Sequence, residues 1–273
     1  MDPKDLVKAG RLSEARNQLV QEVRSSPSDL GMRTLLFQVL SFGGEWSKAE
    51  QHLDAIVTQD LKREGGVQIY KNLIQGERER LEVAKLNRRP SFLPETPPYA
   101  ETYFAACQKV MKKEIDEAAA LMDQIDAQRP VLSGTVNGKS FEGFQDTDTL
   151  LSFFLEALVH GRYIWIPFES IRELSVSPPN NFFDLLWIPA RIATREGLTL
   201  SCYLPVLYPE SFVHEDERIK LGRMTDWKSL GGSFSRGMGQ HVYQIGDEDM
   251  ALLEIREVLF NPSEKVEGDE KND

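Results

Sequence analysis

The sequence repeats itself at a spacing of 34 residues. "GRLSEARNQL" from Gly10 returns as "GEWSKAEQHL" from Gly44, with Gly10, Ser13, Ala15 and Leu19 matched by Gly44, Ser47, Ala49 and Leu53. A third copy, "KEIDEAAALM", starts at Lys113, where Ile115, Ala118 and Met122 take the places of Leu12, Ala15 and Leu19. Pro27 and Pro130 each stand 12 residues after the small residue of their own copy. A period of this length constrains the fold strongly. One helix pair cannot bury its apolar face alone, so successive pairs must stack.

The residue types suit that arrangement, which resembles the tetratricopeptide repeat. Ala15, Ala49 and Ala118 allow helix backbones to approach closely, and Leu19, Leu53 and Met122, one turn later, fill the space between them. The prolines end their repeats because they cannot continue a helix and they restrict the residue before them. Partner helices are expected from three apolar stripes: Met32, Leu35, Leu36, Val39 and Leu40; Ile69, Tyr70, Leu73 and Ile74; and Phe104, Cys107, Val110 and Met111. Between the last two lies "KLNRRPSFLPETPPY", whose four prolines make it an irregular excursion. An ordinary helical bundle is the plainer alternative. Stacked pairs would form a concave groove of the kind that holds peptides or helices.

The pattern changes after Pro130. Asn137-Gly138 between short β-prone runs signals a tight hairpin. "DTDTLLSFFLEALVHG" reads as one amphipathic helix, capped by Asp146 or Thr147, with Leu150, Leu151, Phe154 and Leu158 on one face and Gly161 as its stop. "YIWIPF", "DLLWIPARIAT", "LTLSCYLPVLY" and "ALLEIREVLF" read as strands, with "TREG" turning the second into the third. The expected fold is therefore multidomain: an all-α tetratricopeptide-like superhelix over 1–130, an α+β domain with a mostly antiparallel sheet over 131–262, and an acidic tail over 263–273 with too little to bury to be ordered.

Charge and composition narrow the function. A net charge of −11 repels phosphate backbones, so no nucleic-acid partner is expected. No apolar stretch approaches the length of a membrane span, and "MDPKDLVKAG" lacks the apolar region of a signal peptide, so the chain reads as cytoplasmic without membrane insertion. Cys107 and Cys202 sit in apolar patterns and read as structural thiols. His52, His160, His214 and His241 are scattered without ligand spacing, so no metal is expected. No phosphate loop of Walker spacing exists, and "GMGQHV" lacks the third glycine of a dinucleotide motif, so no cofactor is expected.

The least ordinary text is "LGRMTDWKSLGGSFSRGMGQHVY", from Leu221 to Tyr243. It reads as a structural or recognition loop, with Arg223, Thr225, Asp226, Trp227, Gly237, Gly239 and Gln240 as its candidate residues. Its glycines permit bending and close backbone approach, Thr225 or Asp226 fixes a turn, and Trp227 anchors the loop on the sheet. Asp184 and Trp187 join the candidates: Asp184 as an acid in apolar text, expected to pair with Arg162, Arg191 or Arg223, and Trp187 as core. The rival reading is a hydrolase-like enzyme in the interdomain cleft, built on Asp226, Arg236 and His241. Convergent groups of shifted pKa would favour the enzyme, and an exposed apolar groove would favour a binder.

Taken together, "LLFQVLSFGGEWSKAEQHLD", "FEGFQDTDTLLSFFLEALVHGRYIWIPFESI", "DLLWIPARI", "LPVLYPES" and "LGRMTDW…GMGQHVY" resemble the ImpE family, also called TagJ or SciE-type, over nearly the whole chain. His241 departs from the pattern, since arginine often follows this Gly-Gln in the family, and no ionic role is read for it. The resemblance implies a non-enzymatic accessory or adaptor protein of a type VI secretion system. It implies a protein partner, the small sheath subunit, and a link to the AAA+ disassembly ATPase. Self-association into a homo-oligomer is a third reading.

Overall fold

A computed structural model describes residues 1–262; the acidic tail expected at 263–273 lies outside the described residues. The chain opens with helices α1 (Pro3–Lys8), α2 (Leu12–Ser25), α3 (Leu30–Phe42), α4 (Trp46–Gln59), α5 (Glu64–Ala84), α6 (Ala100–Met111) and α7 (Ile115–Asp126). The 34-residue echo marks the turn and second helix of the pairs α1–α2, α3–α4 and α6–α7. Gly10 and Gly44 both take left-handed backbone there, at φ +78° and +68°, and Lys113 does the same at φ +62° in the third copy. Asp29 caps α3, its carboxylate accepting from Met32 N at 3.0 Å. Ala15, Ala49 and Ala118 are each 0% exposed, as the close-approach reading requires.

Strands follow: β1 (Ser91–Phe92) from the proline-rich excursion, then β2 (Ser133–Val136), β3 (Lys139–Glu142), β4 (Phe144–Asp146), β5 (Phe154–Val159), β6 (Arg162–Pro167), β7 (Ile171–Val176), β8 (Trp187–Thr194) and β9 (Thr199–Pro205). After a short helix α8 (Glu217–Lys220) come β10 (Thr225–Gly231), β11 (Phe234–Gly239), β12 (Val242–Ile245), β13 (Glu248–Ala251) and β14 (Glu257–Phe260). The main sheet has the order β1-β6-β5-β9-β8-β7-β14-β2-β3, antiparallel except for β1 beside β6. β13-β12-β4 and β10-β11 form two smaller antiparallel sheets. The fold is thus an all-α repeat part followed by a mostly antiparallel α+β part, as the sequence indicates.

Two local expectations are corrected. Residues 146–161 are not a helix: the first half is irregular and the second is β5, which is buried on nearly every residue. A strand buried on both faces shows no alternation, so its apolar run also satisfies helical spacing. His160-Gly161, the expected helix stop, is instead a left-handed hairpin turn (φ +49° and +83°) that reverses β5 into β6. "ALLEIREVLF" is not one strand either. Glu254 accepts from Ala251 N at 3.0 Å and closes a turn that separates β13 from β14.

The buried side chains of helices and sheet form one contiguous cluster. Its seam is aromatic. The segment between β7 and β8 sends Phe183 against Phe37 of α3 and Tyr70 of α5, with ring centroids 4.7 and 4.3 Å apart. Phe182 stacks on Phe42 at 4.6 Å. Among the described residues, no helix is long and apolar enough to cross a membrane.

The alanine positions supply a test. Ala49→Leu should overpack the α3–α4 contact and cost about 1–3 kcal/mol, read as a lower midpoint in urea unfolding. An unchanged midpoint would show that the pair has room to spare.

Candidate functional site

The glycine-rich text folds as a hairpin, β10 paired to β11. Arg223 ties its base to the first repeat, Nη2 donating to Val7 O at 3.0 Å. Thr225 Oγ1 donates to Gln240 O at 2.7 Å. Gln240 donates through Nε2 to Gly222 O at 2.8 Å and accepts from Leu253 N at 3.0 Å. Gly237 and Gly239 are required by contact. A Cβ on Gly237 would lie 2.2 Å from the Tyr208 ring, and one on Gly239, at φ +99°, 2.1 Å from Met224 O. These candidates do come together in one hairpin, whose polar groups bond partly one another and partly the body that the hairpin rests on.

Trp227 is a correction. It is 41% exposed and is not a buried anchor; its Nε1 donates to Thr147 Oγ1 at 3.1 Å. The ribbon has two strands, so one flank of β10 has no layer to be buried under. Asp184 is another correction: it pairs with no arginine. It accepts from Asn180 N at 2.7 Å, Asn181 N at 3.1 Å and Asn181 Nδ2 at 2.9 Å, while Asn181 Oδ1 accepts from Phe183 N at 2.8 Å. Those bonds shape the turn that presents Phe182 and Phe183 to the helices.

Trp187 is core, as expected, and it opens a buried polar cluster. Its Nε1 donates to Glu77 Oε1 at 2.8 Å. Glu77 Oε2 accepts from Arg80 Nη1 at 3.2 Å. Arg80 Nε donates to Glu156 Oε2 at 2.9 Å, and its Nη2 bonds both Glu156 Oε1 and Leu207 O. Glu156 also accepts from Tyr163 OH at 2.6 Å. His241 is 1% exposed, with Nε2 at 2.8 Å from Glu156 Oε1 and Nδ1 at 2.8 Å from Asp146 Oδ2. Tyr208 OH donates to Asp146 Oδ1 at 2.7 Å. Asp148 accepts from Arg236 Nε at 2.9 Å and Gly237 N at 2.8 Å, which joins the hairpin to the same cluster.

His241 therefore has the ionic role that the sequence reading withheld. The ring faces a carboxylate at each nitrogen, and with both ionised it donates from both as an imidazolium; burial raises the Asp146 carboxyl by more than His241 lowers it. Burial opposes the charge on the ring, but Asp146 and Glu156 outweigh it and hold the His241 pKa up to about 9. Burial would likewise raise Glu156, but Arg80 and His241 outweigh it and hold the carboxyl down at about 2. The cluster has the convergence and shifted groups of an active site, yet its polar atoms are spent on each other and sealed from solvent. Asp226, the third member of the enzyme reading, lies apart on the surface, 3.5 Å from His214 Nε2. The sequence reading passed over Glu77, Arg80 and Glu156. Their signal is charge in apolar text: Glu77 and Arg80 lie one turn apart on the face of α5 that buries Leu73, Ile74 and Val83, and Glu156 interrupts "FFLEALV".

The helical part carries an open apolar groove of about 300 Å³ where α3, α4 and α5 meet. Phe37, Leu53, Ile56 and Val67 form its floor, and Lys62 and Arg63 stand at its edge. A wider cleft of about 550 Å³ lies between α5 and the sheet, beside Leu158, Pro189 and Tyr203.

Residues 138–259 match the sequence model of a family described as ImpE protein. The type VI secretion system accessory component TagJ from Pseudomonas aeruginosa is 31% identical over 264 residues, covering 97% of this chain and 92% of that protein. The X-ray crystal structure of a Vibrio parahaemolyticus protein superposes with a TM-score of 0.85, covering 95% of this chain and 97% of that one. At 19% identity that likeness concerns the fold.

The cluster predicts how stability depends on pH. His241 is raised from 6.5 to about 9, so its contribution is full below 6.5 and is lost as pH rises toward 9. Glu156 is depressed from 4.5 to about 2, so its contribution is full above 4.5 and is lost as pH falls toward 2. His241→Gln should cost about 3–5 kcal/mol by stranding buried carboxylates. It should also flatten the alkaline limb, measured by urea unfolding across that range. An alkaline limb as steep as wild type would place the titration elsewhere.

Proposed function

The chain belongs to the ImpE family, and from that premise we propose that it is a non-enzymatic adaptor of a type VI secretion system, acting in the cytoplasm. It binds a helical segment of the small sheath subunit and connects that subunit to the AAA+ disassembly ATPase. The observation that carries the binding reading is the groove between α3, α4 and α5. An amphipathic helix presents apolar side chains at i, i+3, i+4 and i+7; Phe37, Leu53, Ile56 and Val67 line the groove but are at most 6% exposed, so it seats one apolar anchor of such a stripe, beside Gly66 and Tyr70. Arg63 at the edge is already paired to Asp60 at 3.1 Å, which leaves Lys62 for an acidic residue on the incoming helix. A stable interface buries about 1,200–2,000 Å² in total, so the partner reaches well beyond this groove, with a few apolar anchors dominating.

The enzyme reading receives less support. Asp226 stands apart from His241 and Arg236, and both of those are committed to buried carboxylates.

Gly66 gives a test that leaves the core alone. It borders the groove, and a Cβ there would meet nothing within 4 Å. Gly66→Trp should fill the groove and weaken binding of the small sheath subunit at least about tenfold in titration calorimetry, the scale of one lost anchor. The melting temperature should not fall, because glycine is the poorer helix former. The full chain is the right material, since helices and sheet share one core. Undiminished affinity in Gly66→Trp would move the site off the groove. No binding by the wild-type chain to a folded sheath subunit would remove that partner.

A further inference from the structure

The strand β10 has a free edge. Among the described residues it pairs only with β11. On the far side of β11, the amides of Ser235, Gly237 and Gly239 are satisfied by Thr149 Oγ1, Asp148 Oδ2 and Ser211 Oγ, each at 2.8 Å. Those residues turn their backbone away from β10. Their partners across the ladder, Ser229, Trp227 and Thr225, must by the antiparallel pattern turn theirs outward too. The outward amide of Trp227 is met by the carboxylate of its own neighbour, Asp226 Oδ1 at 2.9 Å, and by no strand. The edge also presents an apolar surface: Trp227 is 41% exposed, and Met224, just before the strand, 44%. An unpaired strand of this kind is a template for another strand.

We propose that the partner of this edge is β10 of a second copy of the chain, joined antiparallel about a two-fold axis at Trp227. The argument is the order of residues. In "TDWKS", Thr225–Ser229, charge and polarity are arranged symmetrically about the tryptophan. Centring two antiparallel copies there sets Trp227 opposite Trp227 of the second copy, Asp226 opposite Lys228, and Thr225 opposite Ser229. Strand alternation then sorts these by face. One face carries the two tryptophans flanked by Thr–Ser pairs, and the other carries two Asp–Lys pairs. Each is a favourable cross-strand combination. A two-fold interface must be complementary to itself in this manner, with residue i meeting j and j meeting i. The outward amide and carbonyl of Trp227 bond their counterparts, and Asp226 exchanges that amide for the lysine opposite. A ribbon this short buries less than the ~1,200 Å² at the lower end of stable interfaces, so the dimer is weak and concentration-dependent.

Charge exchange tests both the surface and the register. Asp226 and Lys228 are exposed, and among the described residues Asp226 meets only the Trp227 amide at 2.9 Å and His214 at 3.5 Å, so substitution should lower the melting temperature little. By sedimentation velocity over a wide concentration range, wild type should dimerise. Asp226→Lys and Lys228→Asp should each place like charges opposite one another and weaken the dimer about tenfold, through two repulsive pairs. Mixing these two variants should restore association, because the two lysines on β10 of one chain then face the two aspartates on β10 of the other. The double exchange Asp226→Lys with Lys228→Asp should restore it within a single chain. A wild-type chain that stays monomeric at the highest concentration overturns the proposal. So do single variants that dimerise like wild type, which would put the interface elsewhere. A mixture that fails to associate overturns the register.

Discussion

The Arg80 guanidinium holds the two parts of this molecule in one arrangement. It projects from α5, the last helix before the proline-rich excursion, into a space closed by β5 and by the loop at Leu207. A buried guanidinium without partners would be prohibitive, so every position of α5 relative to the sheet that fails to bring Glu156 and Leu207 O to it is excluded. Glu77 and Trp187 extend the constraint toward β8, and His241 with Asp146 extends it toward β12 and β4. The ionic cluster selects the docking geometry; the surrounding aromatic contacts supply the apolar burial.

That division of labour leaves the two proposed binding surfaces at the periphery. Helix pairs stack through alanines, and the groove between α3, α4 and α5 opens to solvent. The β7–β8 turn, shaped by Asp184 and Asn181, wedges Phe182 and Phe183 beneath the same helices and so supports the groove from below. The β10–β11 ribbon is fixed at its base by Arg223 and along β11 by Asp148 and Thr149, which leaves β10 facing outward.

Residue patterns carried much of this. The echo of Ala15, Ala49 and Ala118 located three close helix contacts, because only small residues fit where backbones touch. Asn137-Gly138 located a hairpin because few dipeptides accept two positive φ angles. The candidate residues from Arg223 to Gln240 are gathered in one hairpin for a similar reason: Gly237 and Gly239 stand where neighbours occupy the space a side chain would need. Where the reading of 146–161 went astray, a strand buried on both faces had lost the alternation that distinguishes it from a helix.

The sequence by itself determined the helical repeat, the change to strands after Pro130 and the family. These are local or periodic properties, written in neighbouring residues. Tertiary structure alone decided that His241 is a buried cation, that Asp184 shapes a turn without an arginine, and that Trp227 faces outward. Each depends on what lies opposite in space: Asp146 and Glu156 are 95 and 85 residues from His241. No spacing rule reaches that far. The charge of a histidine and the burial of a tryptophan follow from the surroundings, and folding is what brings those surroundings together.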